Sequence, residues 1–129
     1  MRLEGHVALV TGGNRNIGRA IVLALASRGC HVVVNASRSR DEAEAVAAEA
    51  RAHGVKAQAA LGDVGRAEDV RTLAQRALAE FGAVDIVVNN AAIRPEAEFL
   101  KMSDEDWHRV LDVDLSAAFY TSKAFLPGM

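Results

Sequence analysis

Thr11-Gly12-Gly13-Asn14-Arg15-Asn16-Ile17-Gly18 is the stretch of this chain whose residue types and spacing point most directly to chemistry. It lies between the apolar run Val7–Val10 and an Ala- and Leu-rich segment. A glycine loop that leaves a strand and opens a helix offers free backbone N–H groups to the pyrophosphate of a dinucleotide. Gly12 would allow the tight turn, and Gly18 would let the helix pack closely on the sheet. A plain βα turn of small residues explains the glycines alone; their place between strand and helix favours the nucleotide. Charge points the same way. From Thr11 to Arg40 there are five arginines (Arg15, Arg19, Arg28, Arg38 and Arg40) and no acid, although the chain has 15 Lys and Arg against 17 Asp and Glu. Arg28 reads as part of a solvated face. Arg15 and Arg38 fall in the two loops that would flank a nucleotide. Binders of the 2′-hydroxyl form carry an Asp or Glu about 20 residues beyond the glycines. Here that region reads Val34-Asn35-Ala36-Ser37-Arg38. Ser37 and Arg38 suit a 2′-phosphate, because arginine offers it a bidentate fork. NADP(H) is therefore the expected cofactor in preference to NAD(H).

Other residue types exclude more than they suggest. One cysteine, Cys30, leaves no internal disulfide framework, and it reads as a small buried residue. His6, His31, His53 and His108 share no ligand spacing, so no metal site is expected. A net charge of -2 argues against a nucleic-acid binder. The longest purely apolar stretch, Ala20 to Ala26, is too short to span a bilayer, and no long apolar core of the signal-peptide kind opens the chain. The expectation is a soluble, cytoplasmic protein without membrane or nucleic-acid partners.

The elements that must position these residues alternate. Strands are expected at Val7–Val10, Val32–Val34, Val55–Leu61 and Val84–Val88. Ile17–Ser27 reads as a helix. Ser39 and Glu42 have capping-box spacing and open a second helix that runs to Gly54. Val70, Leu73, Ala74, Ala77, Leu78 and Phe81 recur at helical period. Ser103 and Asp106 open a last helix, carried by Trp107, Val110, Leu111, Leu115, Ala118, Phe119 and Phe125. Gly29, Gly54 and Gly82 close the first three helices, where left-handed C-caps suit glycine. Strands without polar alternation are buried on both faces. The pattern therefore predicts an α/β fold with a doubly wound, Rossmann-like parallel sheet of four strands, part of a larger sheet. No linker divides residues 1–129, which read as one nucleotide-binding unit.

Several of these motifs, taken in order, resemble the N-terminal half of the short-chain dehydrogenase/reductase family, and its 3-oxoacyl-thioester reductases in particular. The family's Thr-Gly-x-x-x-Gly-x-Gly is matched with Asn16 at the middle glycine; Asn tolerates positive φ better than other non-glycine residues. Its Asp-Val, which flanks adenine, is Asp63-Val64. Its Asn-Asn-Ala-Gly is Asn89-Asn90-Ala91-Ala92, with alanine replacing the glycine. The resemblance implies cofactor contacts from Thr11, Gly12, Asn14, Arg15, Asn16, Ile17, Gly18, Ser37, Arg38, Asp63, Val64, Asn90, Ala91 and Ala92. It implies hydride transfer at a carbonyl or secondary alcohol, and strand order 3-2-1-4. The family's catalytic asparagine maps to Asp114. On an unbroken helix Asp114 falls between Val110 and Trp107 on the apolar stripe, while Asp112 points to solvent. A structural Asp bonded to backbone at a helix kink is the alternative. Tyr120 and Lys123 are spaced by three instead of the family's four, and are rejected as its tyrosine–lysine pair. No serine, tyrosine or lysine of the catalytic set is assigned, so the 129 residues alone are expected to be inactive and incomplete at the C-terminus. The rival reading is a non-catalytic nucleotide-binding or interaction module. The fourth strand at the sheet edge and the stripe from Trp107 to Phe125 predict a homo-oligomer or a longer polypeptide.

Overall fold

The computed structural model describes residues 2–129; Met1 lies outside the described residues. Strands β1 (Val7–Val10), β2 (His31–Ala36), β3 (Ala57–Leu61) and β4 (Ile86–Val88) alternate with helices α1 (Asn16–Ala26), α2 (Arg40–Arg51) and α3 (Ala67–Phe81). The chain then runs through α4 (Asp104–Leu111), a π-helical turn (Asp112–Ser116) and α5 (Ala117–Phe125). All strand pairs are parallel, in the order β3-β2-β1-β4, with Val10 beside Val34 on one flank and Val88 on the other.

Strand residues alternate between two cores, which is why the strands are mostly apolar, with His31, Asn35 and Gln58 as the polar positions. Val7, Leu9, Val33 and Ala60 face Val70, Leu73 and Ala77 of α3 and Phe125 of α5. Ala8, Val10, Val32 and Val34 face Val22 and Ala26 of α1 and Ala43, Val46 and Ala50 of α2. The three helix-closing glycines all have positive φ: 86° at Gly29, 85° at Gly54 and 79° at Gly82. Among the described residues, no helix is long and apolar enough to cross a membrane.

Three expectations need correction. The fourth strand is shorter than Val84–Val88. Its start is closed by Asp85, whose Oδ2 accepts Val7 N–H at 2.8 Å while its own N–H donates to the Val7 carbonyl. The capping box at α2 is absent: Ser39 makes no side-chain cap. Glu42 instead accepts from Asn14 Nδ2 at 3.0 Å. The third correction concerns the last helix. Its buried stripe is Val113, Ala117, Thr121 and Phe125. Trp107, Leu111, Leu115 and Phe119 form an opposite, exposed stripe. A π turn adds a residue to one helical turn, so a wheel drawn at constant pitch loses phase across it. Ser103, by contrast, caps α4 as its spacing predicts, accepting from Asp106 N–H at 3.0 Å.

Candidate functional site

A cleft of about 490 Å³ opens beyond the carboxyl ends of the strands. It lies where the sheet order reverses, since β1 is flanked by β2 and β4. That is the usual ligand crevice of an open parallel sheet. Its floor is the glycine loop. Gly12 turns at φ 61°, and a side chain at Gly18 would put its Cβ 2.0 Å from the Gly12 carbonyl oxygen and 2.7 Å from Asn90 Nδ2. Only glycine fits at position 18. Asn16, where the family motif has glycine, takes the left-handed conformation at φ 50°. Arg15, extended and without a side-chain cap, precedes α1, whose first turn contains no acid. The helix N-terminus is thus open to an anion.

The loop is held by a polar network that needs residues far apart in sequence. Thr11 Oγ1 accepts the Asn90 and Ala91 N–H groups at 2.9 and 3.0 Å. Asn90 Nδ2 donates back to the Thr11 and Gly12 carbonyls at 3.0 and 3.2 Å. Thr11 is 2% exposed and does not line the cleft. The structure thus does not bring Thr11 into the cleft wall with the other expected residues: its hydroxyl joins the glycine loop to the loop after β4. Asn35 is a hub that sequence reasoning missed. It is buried, accepts Gly12 N–H at 3.3 Å, and donates to the Ala60 and Gly62 carbonyls, each at 3.1 Å. Its signal was a polar residue in an otherwise apolar strand run, which burial obliges to find partners.

The other expected residues come together. Gly12, Asn14, Arg15, Asn16, Ile17 and Gly18 line the cleft with Ser37 and Arg38, Asp63 and Val64, and Asn90, Ala91 and Ala92. Neither Arg15 nor Arg38 forms an ion pair among the described residues. Asp63 is held: Oδ1 accepts Gly65 N–H at 3.0 Å, and Oδ2 pairs with Arg109 at 2.8 Å. Arg109 and Val113, unforeseen members of the wall, pack so closely that a Cβ on Gly65 would meet each at 3.0 Å. Nothing in their local sequence distinguishes them from any helical arginine and valine.

Asp114 sits in the π turn, exposed instead of buried, and outside the cleft lining. Asp112 is the more covered of the two, reversing their expected placement. Asp114 Oδ1 accepts the N–H of Ile93, a cleft residue, at 2.8 Å. Tyr120 packs against the α3–α5 core, and Lys123 Nζ lies 5.8 Å from the Phe119 ring centroid; neither lines the cleft. Cys30 is buried and donates to the Leu3 carbonyl, and burial pushes its thiol pKa up, which keeps it a poor nucleophile.

A parallel sheet with a glycine-loop cleft at its reversal defines the nucleotide-binding α/β class. Comparison narrows this further. The family model for short chain dehydrogenases matches residues 6–129, and the chain belongs to that family. It is 43% identical over 122 residues to the 3-oxoacyl-(acyl-carrier-protein) reductase of Synechocystis sp., covering 95% of this chain and 49% of that protein. The corresponding reductase of Staphylococcus epidermidis is 38% identical, at 95% and 50% coverage. A short chain dehydrogenase from Burkholderia cenocepacia, solved in complex with NADP, superposes with a TM-score of 0.95 at 36% identity, covering 100% of this chain and 53% of that one. The chain spans about half the length of the relatives it matches.

Proposed function

We propose that this protein is an NADP(H)-dependent oxidoreductase acting on a carbonyl or secondary alcohol, with these 129 residues as one cofactor-binding unit. The observation that carries the reading is the cleft itself. A loop that admits only glycine at position 18 leads to an uncapped helix start, and Arg15 and Arg38, which form no ion pair among the described residues, line the same cleft. That donor set fits a dinucleotide bearing an extra phosphate. When bound, the nicotinamide gives or takes the hydride. In this reading the backbone N–H groups at the start of α1 receive the pyrophosphate. Ser37, Arg38 and Arg15 receive the 2′-phosphate, and Asp63 and Val64 flank the adenine. Asn90, Ala91 and Ala92 allow close approach on the far side. Asp114, at the position of the family's asparagine, fixes Ile93 through its N–H. The 3-oxoacyl relatives make 3-oxoacyl thioesters the first substrates to assay.

A second reading, a nucleotide-binding module, rests on the cleft alone: the residues gathered there suit a nucleotide, and Tyr120 packs away from it. On either reading the 129 residues bind cofactor without catalysing transfer by themselves. We also propose a cytoplasmic homo-oligomer. The exposed stripe of Trp107, Leu111, Leu115 and Phe119 supports the association, because patches of that kind mark interfaces.

Calorimetric titration with NADPH and NADH tests the cofactor assignment. Arg38→Ala removes a charge-assisted phosphate contact of about 1.5–3 kcal/mol, so NADPH affinity falls about tenfold or more while NADH affinity changes little. Equal losses for the two cofactors overturn the assignment.

A further inference from the structure

We infer that Glu42 is a specificity-determining residue that opposes the 2′-phosphate and moderates the preference set by Arg15 and Arg38; this rests on the dinucleotide reading above. Glu42 is the third residue of α2, placed where a capping box would turn its carboxylate back onto Ser39. It reaches instead across 28 residues of sequence to Asn14 of the glycine loop, at 3.0 Å. It thereby lines the same cleft as Ser37, Arg38 and Arg15.

Two acids line this cleft, and they differ in one respect. Asp63 is compensated by Arg109 at 2.8 Å. Glu42 has a neutral amide as its partner and, among the described residues, forms no ion pair. Its carboxylate therefore carries its charge into the cleft without a direct ion-pair partner among the described residues, in the same lining as Arg15 and Arg38. A carboxylate accepts a hydrogen bond from a ribose hydroxyl and repels a phosphate dianion. Glu42 thus favours the 2′-hydroxyl form and disfavours the 2′-phosphate form, against the pull of Arg15 and Arg38. No acid stands at the end of β2, and this one is supplied from the first turn of α2.

The test is the ratio of NADPH to NADH affinity, measured by calorimetry on the full chain before and after Glu42→Gln. Glutamine keeps an oxygen acceptor for Asn14, so the link between α2 and the glycine loop survives and only the charge goes. The expected result is a gain of about three- to tenfold in NADPH affinity, the range of a screened charge interaction near a surface, with NADH affinity unchanged or lower. The gain shrinks as salt is raised, because the charges are exposed. An unchanged ratio, with both cofactors still bound, makes Glu42 only a strut and overturns this inference alone. Failure of wild type and variant alike to bind either cofactor overturns the dinucleotide reading and this inference with it.

Discussion

Replacing Thr11 by valine separates a structural hydroxyl from a ligand-binding one. The two side chains have nearly the same shape, and the site is 2% exposed, so little besides the hydroxyl is lost. That hydroxyl accepts two backbone N–H groups, from Asn90 and Ala91, at 2.9 and 3.0 Å. Its donation to the Val88 carbonyl, at 3.3 Å, is long for an O–H bond and adds little. Asn90 N–H keeps a second acceptor in the Val88 carbonyl at 3.1 Å. Among the described residues Ala91 N–H has none, so valine leaves it orphaned. Two lost bonds at about 1 kcal/mol each, together with part of an orphan's desolvation cost, put the destabilisation at about 2–4 kcal/mol. A domain stabilised by about 5–15 kcal/mol feels that strongly. Urea denaturation with a common slope measures it, and calorimetry with NADPH on the same samples measures binding. Thr11→Ser keeps the hydroxyl and is expected to lose about 1 kcal/mol, for one buried methyl group. A valine variant less than about 0.5 kcal/mol down in stability, yet deficient in binding, would refute the reasoning. Thr11 would then touch the ligand directly.

Gly18→Ala is expected to destabilise by at least the upper end of the usual overpacking cost of about 1–3 kcal/mol, because the obstructing atom at 2.0 Å is the backbone oxygen of Gly12; thermal melting checks this, and an unshifted midpoint sinks it. Asp114→Asn keeps an oxygen for Ile93 N–H, so stability should stay within about 0.5 kcal/mol, whereas Asp114→Leu should cost about 1 kcal/mol in urea denaturation. Cys30 should resist iodoacetamide in the native protein and react once unfolded, and equal labelling rates would contradict its burial. Burial raises its folded pKa, so the unfolded chain loses the thiol proton first. Stability linked to Cys30 is therefore full below the ordinary thiol value of about 8.5 and is lost as pH rises through the higher folded value, which denaturation at stepped pH reads out.

Much of the fold was legible because short-range patterns decide it. Three β-branched runs, a weaker Ala-rich run at Val55–Leu61 and three helical segments closed by Gly29, Gly54 and Gly82 are enough for an alternating parallel sheet, and the resemblance implied its order. The glycine loop was readable for the same reason, since the turn at Gly12 and the crowding at Gly18 are demands on single residues. Asn16 at φ 50° shows that the demand is for a conformation, which asparagine also meets. What the sequence could not decide depends on partners distant in the chain. Glu42 had two uses for one carboxylate, and the nearness of Asn14, 28 residues away, chose between them. Asp114 left its expected stripe because the π turn shifts the helical phase and its carboxylate meets Ile93 N–H. Arg109 became part of the cleft through Asp63, 46 residues earlier. Propensity and periodicity act over one or two turns of chain. A long side chain, by contrast, finds its hydrogen-bond partner only once packing has brought the loops together, and tertiary structure alone made those choices.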